Sequence, residues 1–104
     1  MRRFRLALAQ INSTVGDLPQ NATIIRRTIV DAHRAGADLV AFPELALTGY
    51  PPEDLLLKPQ FIRDARLALD DVASGVRGIV AVVGAVDPDG DLFNAAAILA
   101  DGRC

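Results

Sequence analysis

Apolar residues follow two different periods along this chain, one typical of strands and one typical of helices. Short and almost continuous apolar runs predict strands at 4–10, 38–42, 79–86 and 92–100. Two further segments have apolar residues at helical spacing: Ala22, Ile25, Ile29 and Ala32 in the first, and Phe61, Ala65, Leu69 and Val72 in the second. The order strand, helix, strand, helix, strand, turn, strand predicts an α/β layer with a mostly buried sheet.

Several residues indicate where the helices begin and end. Asp17 is a candidate N-cap, because Gln20 follows at the capping-box spacing and Pro19 lies in the first turn, where a missing N–H does no harm. Gly36 ends the first helix. The second helix is predicted over 60–73.

The segments between the predicted helices and strands contain residues that predict turns. Residues 53–57 are predicted to form one short helical turn, and residues 87–91, "DPDGD", form a turn. The strand at 38–42 has almost no polar alternation, which is expected when both faces of a sheet are covered. Asp101-Gly102 after an apolar strand is a strong hairpin signal, so a further strand should pair with 92–100. That strand is absent, and we interpret the end of the chain as a truncation.

Length and charge limit the class of protein. A chain of 104 residues that is 51% hydrophobic has room for one small domain, 1–104. A net charge of −2 and scattered arginines give no basic field for nucleic acid. No apolar run approaches the roughly 20 residues of a membrane span, and the N-terminus lacks the features of a signal peptide. We therefore expect no membrane partner and a cytoplasmic location.

Cysteine and histidine are scarce. Cys104 is the single cysteine, so an intramolecular disulfide and a zinc cluster are excluded, and no metal site is expected. His33 is the single histidine and lies near the end of the first predicted helix, where a cation favours the helix dipole. Its role is expected to be structural.

One acidic residue, Glu44, interrupts the otherwise apolar run 39–47. Burial of a polar group without a partner costs about 2–7 kcal/mol, so such a glutamate either has partners or is buried for a purpose. It follows a buried strand, where open α/β sheets place their sites, and burial would make it a better proton acceptor near neutral pH. A general base is one interpretation. A carboxylate that caps the next turn or pairs with a surface arginine is the other.

Two longer segments carry a resemblance to a known family. "FRLALAQINSTVGDLPQN" followed by "GADLVAFPELALTGYPPEDLLL" resembles the beginning of the glutaminase domain of glutamine-dependent NAD⁺ synthetases, in the nitrilase or carbon–nitrogen hydrolase superfamily. The resemblance covers essentially the whole chain. "FPE" alone would indicate the superfamily, whereas "TGYPPEDL" is more specific to the synthetase branch.

The resemblance implies a fold and a set of site residues. The fold would be an α-β-β-α sandwich, of which this chain is the first part only, without the synthetase domain. Without the second half of the sandwich, the sheet would leave a long apolar edge and an apolar face open to aggregation. The family hydrolyses amides with a Glu–Lys–Cys triad, and its glutamate corresponds to Glu44. Tyr50 corresponds to a tyrosine that lies against the glutamine site, although a tyrosine in a Gly-Pro loop is also an ordinary surface residue. Glu53 and Asp54 are expected to begin the short helix that follows.

The chain departs from the family pattern at two triad positions. Lys58, the only lysine, lies in "LLLKPQF", where the family has a basic residue outside the triad. The catalytic lysine would follow the strand expected after Gly102, and the nucleophile would lie later still, so Cys104 corresponds to neither. The chain therefore holds one third of the triad. It is predicted to be inactive alone, whereas the full-length protein would hydrolyse glutamine.

The resemblance also implies substrates and partners for the full-length protein. L-glutamine would be hydrolysed in this domain without a cofactor. The ammonia would pass to a synthetase domain that uses ATP and Mg²⁺ to adenylate deamido-NAD and then amidate it. Family members form homo-oligomers. The alternatives are a stand-alone amidase or nitrilase-like enzyme with the same triad, and a non-catalytic remnant that acts as an interaction module through its open sheet edge.

Overall fold

A computed structural model of the protein describes residues 3–43, 46–49, 58–86 and 94–104. The elements in these ranges follow the predicted order: β1 (Leu6–Leu8), α1 (Leu18–Arg34), β2 (Leu39–Ala41), α2 (Pro59–Ser74), β3 (Val80–Val86) and β4 (Asn94–Leu99). The first three strands are shorter than the apolar runs that predicted them, 4–10, 38–42 and 79–86. The predicted helical turn at 53–57 and the turn at 87–91 lie outside the described residues.

The four described strands form one sheet in the order β1-β2-β3-β4. β1 pairs with β2 and β2 with β3 in parallel, whereas β3 and β4 are antiparallel. Each parallel pair is connected through a helix, as parallel pairing requires. The carboxyl ends of β1, β2 and β3 therefore lie at the same edge of the sheet.

The first turn of α1 is held by the predicted cap. The Asp17 carboxylate accepts the N–H of Gln20 at 3.2 Å, and Pro19 occupies the first turn. The N–H of Asp17 donates to the carbonyl of Thr14 at 3.1 Å. That donor is already satisfied, so the glutamine side chain is not needed to complete a capping box. At the other end, Gly36 has φ +86°, a conformation that favours glycine.

Both helices cover the same face of the sheet. Of the residues that the periodicity predicted for the two buried faces, all are buried except Phe61, which is half-buried at the start of α2. They pack with buried strand residues into a core that includes Ile25, Ile29, Val40, Leu69, Val72, Ala81, Val83 and Leu99. At the surface, Arg26 of α1 and Asp71 of α2 form an ion pair at 2.7 Å. This pair is exposed, so it contributes little beside the apolar contacts.

The opposite face of the sheet is apolar and is not covered by any described element. We call it the open face; its residues are Leu6, Leu8, Leu39, Ala41, Val80, Val82 and Ile98. Leu6, Leu8 and Ile98 are exposed by 52%, 75% and 62%. The apolar pattern of the second strand predicted cover on both faces, and this is wrong for the described residues, because α1 and α2 pack on one side only. The resemblance implied that a partial sandwich leaves an apolar face open, and the open face confirms that expectation.

The last described residues form the turn that Asp101-Gly102 predicted. Both residues have positive φ, 50° and 82°, as a two-residue hairpin turn of the I′ type requires. Ala100 and Arg103 form an antiparallel bridge, with N–H to carbonyl distances of 2.9 and 3.0 Å. The hairpin signal is thus confirmed locally, and Cys104 lies exposed just after it.

His33 and the lengths of the two helices bear on two further expectations. His33 lies in the last turn of α1, as predicted, and its ring approaches the Cα of Gly78 on the loop before β3. Neither helix in the described part of the chain is long and apolar enough to cross a membrane.

Candidate active site

The candidate site lies where the loops leave the carboxyl ends of β1 and β2. Glu44 follows the last residue of β2 by three positions. Glu44 and Tyr50, the two residues predicted to act in catalysis and substrate binding, lie outside the described residues. The residues on both sides of Glu44 are described, and they show how the chain that carries it is held.

The residues just before Glu44 are held by the sheet. The N–H of Phe42 donates to the carbonyl of Val82 at 2.9 Å, and the N–H of Ala9 donates to the carbonyl of Ala41 at 2.9 Å. These bonds extend the parallel pairing beyond the ends of the strands. The chain is therefore fixed by the sheet up to two residues before Glu44.

The downstream side, residues 46–49, is buried throughout. A buried loop must satisfy its backbone carbonyls, since an unpaired one costs as much as a lost hydrogen bond. Three consecutive carbonyls accept hydrogen bonds from the segment between β1 and the first turns of α1. The pairs are the Ser13 hydroxyl with the Ala46 carbonyl, the Asn21 amide with the Leu47 carbonyl at 2.8 Å, and the Gly16 N–H with the Thr48 carbonyl at 2.9 Å.

Asn21 makes the greatest number of these connections. Its side chain is fully buried. The Nδ2 group donates to the carbonyls of Leu47 at 2.8 Å and Thr14 at 2.7 Å, and Oδ1 accepts the N–H of Thr14 at 2.8 Å. Both amide hydrogens and the amide oxygen are therefore used. One side chain joins helix α1, the loop after β1 and the loop after β2.

Gly49, in the loop after β2, lies against the loop after β1. Its φ is +79°, and a Cβ at this position would lie 2.6 Å from the Cα of Val15 and 2.9 Å from the carbonyl carbon of Thr14. Those atoms belong to the backbone and cannot move aside as a flexible side chain can. Glycine is required here both by conformation and by space.

We expect Gly49→Ala to destabilise the protein more than Gly36→Ala. Both positions have positive φ, which costs a non-glycine residue about 1–3 kcal/mol. At Gly36 the nearest atom to a new Cβ is the end of the Arg5 side chain at 3.0 Å, which can rotate away. Denaturant unfolding of the two variants measures the difference. Equal losses of unfolding free energy would mean that the Val15 backbone adjusts without cost.

The sequence profile of carbon–nitrogen hydrolases matches residues 5–103, which is nearly the whole chain. The chain belongs to the carbon–nitrogen hydrolase family. Among similar proteins, a glutamine-dependent NAD(+) synthetase of Xylella fastidiosa is 48% identical over 102 residues, which cover 96% of this chain and 19% of the relative. The chain thus spans about a fifth of the length of such relatives.

Solved structures agree with this assignment. The glutamine-dependent NAD+ synthetase of Acinetobacter baumannii, solved with ADP, superposes with a TM-score of 0.87 at 37% identity, over 96% of this chain and 19% of that one. An amidase from Nesterenkonia sp. superposes with a TM-score of 0.73 at 28% identity, over 91% of this chain and 36% of that one. The predicted fold, the first part of a nitrilase-type α/β domain, is confirmed.

In this carbon–nitrogen hydrolase, the described residues do not bring a triad together. Lys58 is exposed at the N-cap of α2, and Cys104 is exposed after the last turn. Neither position is the one that the family pattern requires for its lysine or its nucleophile. In the ranges that the structure describes, no three His, Cys, Asp or Glu side chains are grouped so that they could hold a metal ion.

Asn21 and Ser13 were not predicted from the sequence to contact the loop after β2. A signal for Asn21 was present, because position 21 lies between Leu18 and Ile25 on the apolar face of α1. A polar residue on a core-facing stripe requires a buried partner. Ser13 carries no such signal, since serine is ordinary in a loop.

Proposed function

We propose that this chain is the N-terminal part of the glutaminase domain of a glutamine-dependent NAD⁺ synthetase. The observation that carries the proposal is the identity of 48% to a protein of that name over 96% of this chain. The open face supports it as well. An apolar surface of this kind is typical of one half of a larger core rather than of a finished domain.

Glu44 would act as the general base. It would accept the proton of a cysteine thiol supplied by a later part of the domain, and the sulfur would form a bond to the side-chain amide carbon of L-glutamine. Glu44 would then give that proton to the amide nitrogen, the carbon–nitrogen bond would break and ammonia would leave, after which water would hydrolyse the γ-glutamyl thioester to glutamate and the free thiol. A lysine, also from a later part, would stabilise the negative charge of the tetrahedral intermediate. Tyr50 would line the glutamine site.

The remaining partners belong to the proposed longer protein. Ammonia would be consumed in a synthetase domain that takes ATP, Mg²⁺ and deamido-NAD. The protein would assemble as a homo-oligomer. We propose the cytoplasm as its location, because a reactive thiol and a supply of ATP are both maintained there.

The second candidate is a stand-alone amidase. The superposition with the Nesterenkonia amidase favours it to a lesser degree, because both the TM-score and the identity are lower than for the synthetase. One structure of that amidase shows the product of acrylamide addition at its active-site cysteine. The chemistry proposed for Glu44 would be the same in both candidates, so the downstream sequence separates them. A non-catalytic interaction module is the remaining alternative.

The reading frame beyond Cys104 tests the proposal directly. We expect the source DNA to encode a lysine-bearing strand, then a cysteine at a strand-to-helix turn, then a phosphate-binding loop rich in Ser and Gly. The encoded full-length protein should release ammonia from glutamine, whereas residues 1–104 alone should not. A stop codon soon after the cysteine would favour the amidase. A stop codon directly after Cys104 would leave the interaction module as the remaining interpretation.

A further inference from the structure

We propose that Asn21 is a positioning residue for the catalytic base: its amide holds the loop that carries Glu44 at the distance that proton transfer requires. This inference rests on the proposed glutaminase function. It goes beyond that function because Asn21 lies on a helix, 23 positions before Glu44, and belongs to none of the expected triad positions.

The bonding of Asn21 is what distinguishes it from an ordinary core residue. Its amide joins Thr14, in the loop after β1, to Leu47, three residues after Glu44. Because the side chain is fully buried, water cannot replace any of these bonds. Helix α1 is packed on the sheet, so Asn21 transmits the rigid position of the helix to the loop.

The two sides of Glu44 depend on different anchors. On the upstream side, backbone bonds between Phe42 and Val82 hold the chain to the sheet, and no side chain is needed. On the downstream side, Asn21 is the buried side chain that satisfies the middle one of three successive carbonyls. A general base must lie within about 2.6–3.2 Å of the proton it accepts. A displacement of about 1 Å can cost on the order of a hundredfold in rate.

The test uses two substitutions of nearly equal burial, one helical turn apart. Asn21→Asp keeps the size of the side chain but replaces its two N–H donors with an acceptor that faces the carbonyls of Thr14 and Leu47. Ile25→Ala is the matched control, because Ile25 is also fully buried on the same face of α1 and its side chain has no hydrogen-bonding group. Both variants are made in the full-length protein and compared at a temperature where each remains folded.

Three rates are measured for each variant. They are NAD⁺ synthesis from glutamine, NAD⁺ synthesis from free ammonia, and alkylation of the nucleophilic thiol by iodoacetamide. For Asn21→Asp we expect kcat with glutamine to fall at least about tenfold, the alkylation rate constant to fall in parallel, and the ammonia rate to stay within about twofold. Because both variants are compared while they are folded, a loss of stability alone would not slow the alkylation rate constant.

Ile25→Ala should leave both kcat with glutamine and the alkylation rate constant within about threefold of wild type, even where it lowers stability more. Equal decreases of kcat with glutamine in the two variants would overturn the positioning role. An unchanged alkylation rate constant in Asn21→Asp would overturn it as well. Failure of the proposed function is seen separately, in the wild-type protein. If wild type forms no ammonia from glutamine, the glutaminase assignment is wrong whatever the variants do.

Discussion

Glutamine-dependent NAD⁺ synthesis should fall at least about 100-fold when Glu44→Gln is introduced into the full-length protein, because a positioned general base contributes about 10²–10⁴-fold. Glutamine keeps the size of the side chain but does not accept the thiol proton. Synthesis from free ammonia should stay within about twofold, since that route bypasses the glutaminase step. Steady-state rates with glutamine and with ammonium chloride, measured on the same preparation, check both expectations.

The matched control is Glu53→Gln, the same chemical change nine residues later in the chain. Glu53 is expected only to favour the start of a helix, so its loss should change the glutamine-dependent rate by less than about threefold. Loss of both the glutamine-dependent and the ammonia-dependent activity in Glu44→Gln would show that Glu44 maintains the structure instead. An unchanged glutamine-dependent rate would show that Glu44 is not a catalytic residue.

Ile98→Asp should cost the full-length protein about 3 kcal/mol or more of unfolding free energy. The proposed function places the rest of the domain against the open face, so the new carboxylate would be buried there without a partner. In residues 1–104 alone, the same side chain is 62% exposed. The substitution should then change stability by no more than about 0.5 kcal/mol and should reduce self-association. Denaturant unfolding and light scattering of both chains measure these effects.

Leu67→Asp provides the comparison on the other side of the molecule. Leu67 of α2 is 66% exposed, nearly the same as Ile98, but it does not belong to the open face. Its substitution should be tolerated in both the short and the full-length chain. A full-length protein that tolerates both aspartates equally well would show that nothing covers the open face, and the proposed longer domain would lose that support.

Local patterns predicted most of the fold because the features they predict are themselves local. The apolar period of α1 marked Ala22, Ile25, Ile29 and Ala32 as its buried face, and all four are buried. The cap at Asp17 depends on a residue three positions away. These features arise from chain segments of a few residues, so a sequence displays them directly.

The apolar pattern alone did not predict the open face, which only the family resemblance implied. A continuous apolar strand is compatible with burial on both faces, and the strand at 38–42 was interpreted so. In the described residues, α1 and α2 pack on one face only, and the open face remains exposed. An apolar pattern reports that a surface avoids water, but it does not report which part of the chain provides the cover.

The order of the elements, the family, and the unusual position of a carboxylate at Glu44 could all be inferred from the sequence. The contacts that hold the chain on either side of Glu44 could not, because they form only in the folded molecule. The bond from Asn21 to Leu47 joins residues 26 positions apart, and Gly49 meets the backbone of Val15 across two loops. The physical reason is that a periodic pattern reports contacts within a helix or a strand. Hydrogen bonds between distant loops exist only after packing has brought those loops together.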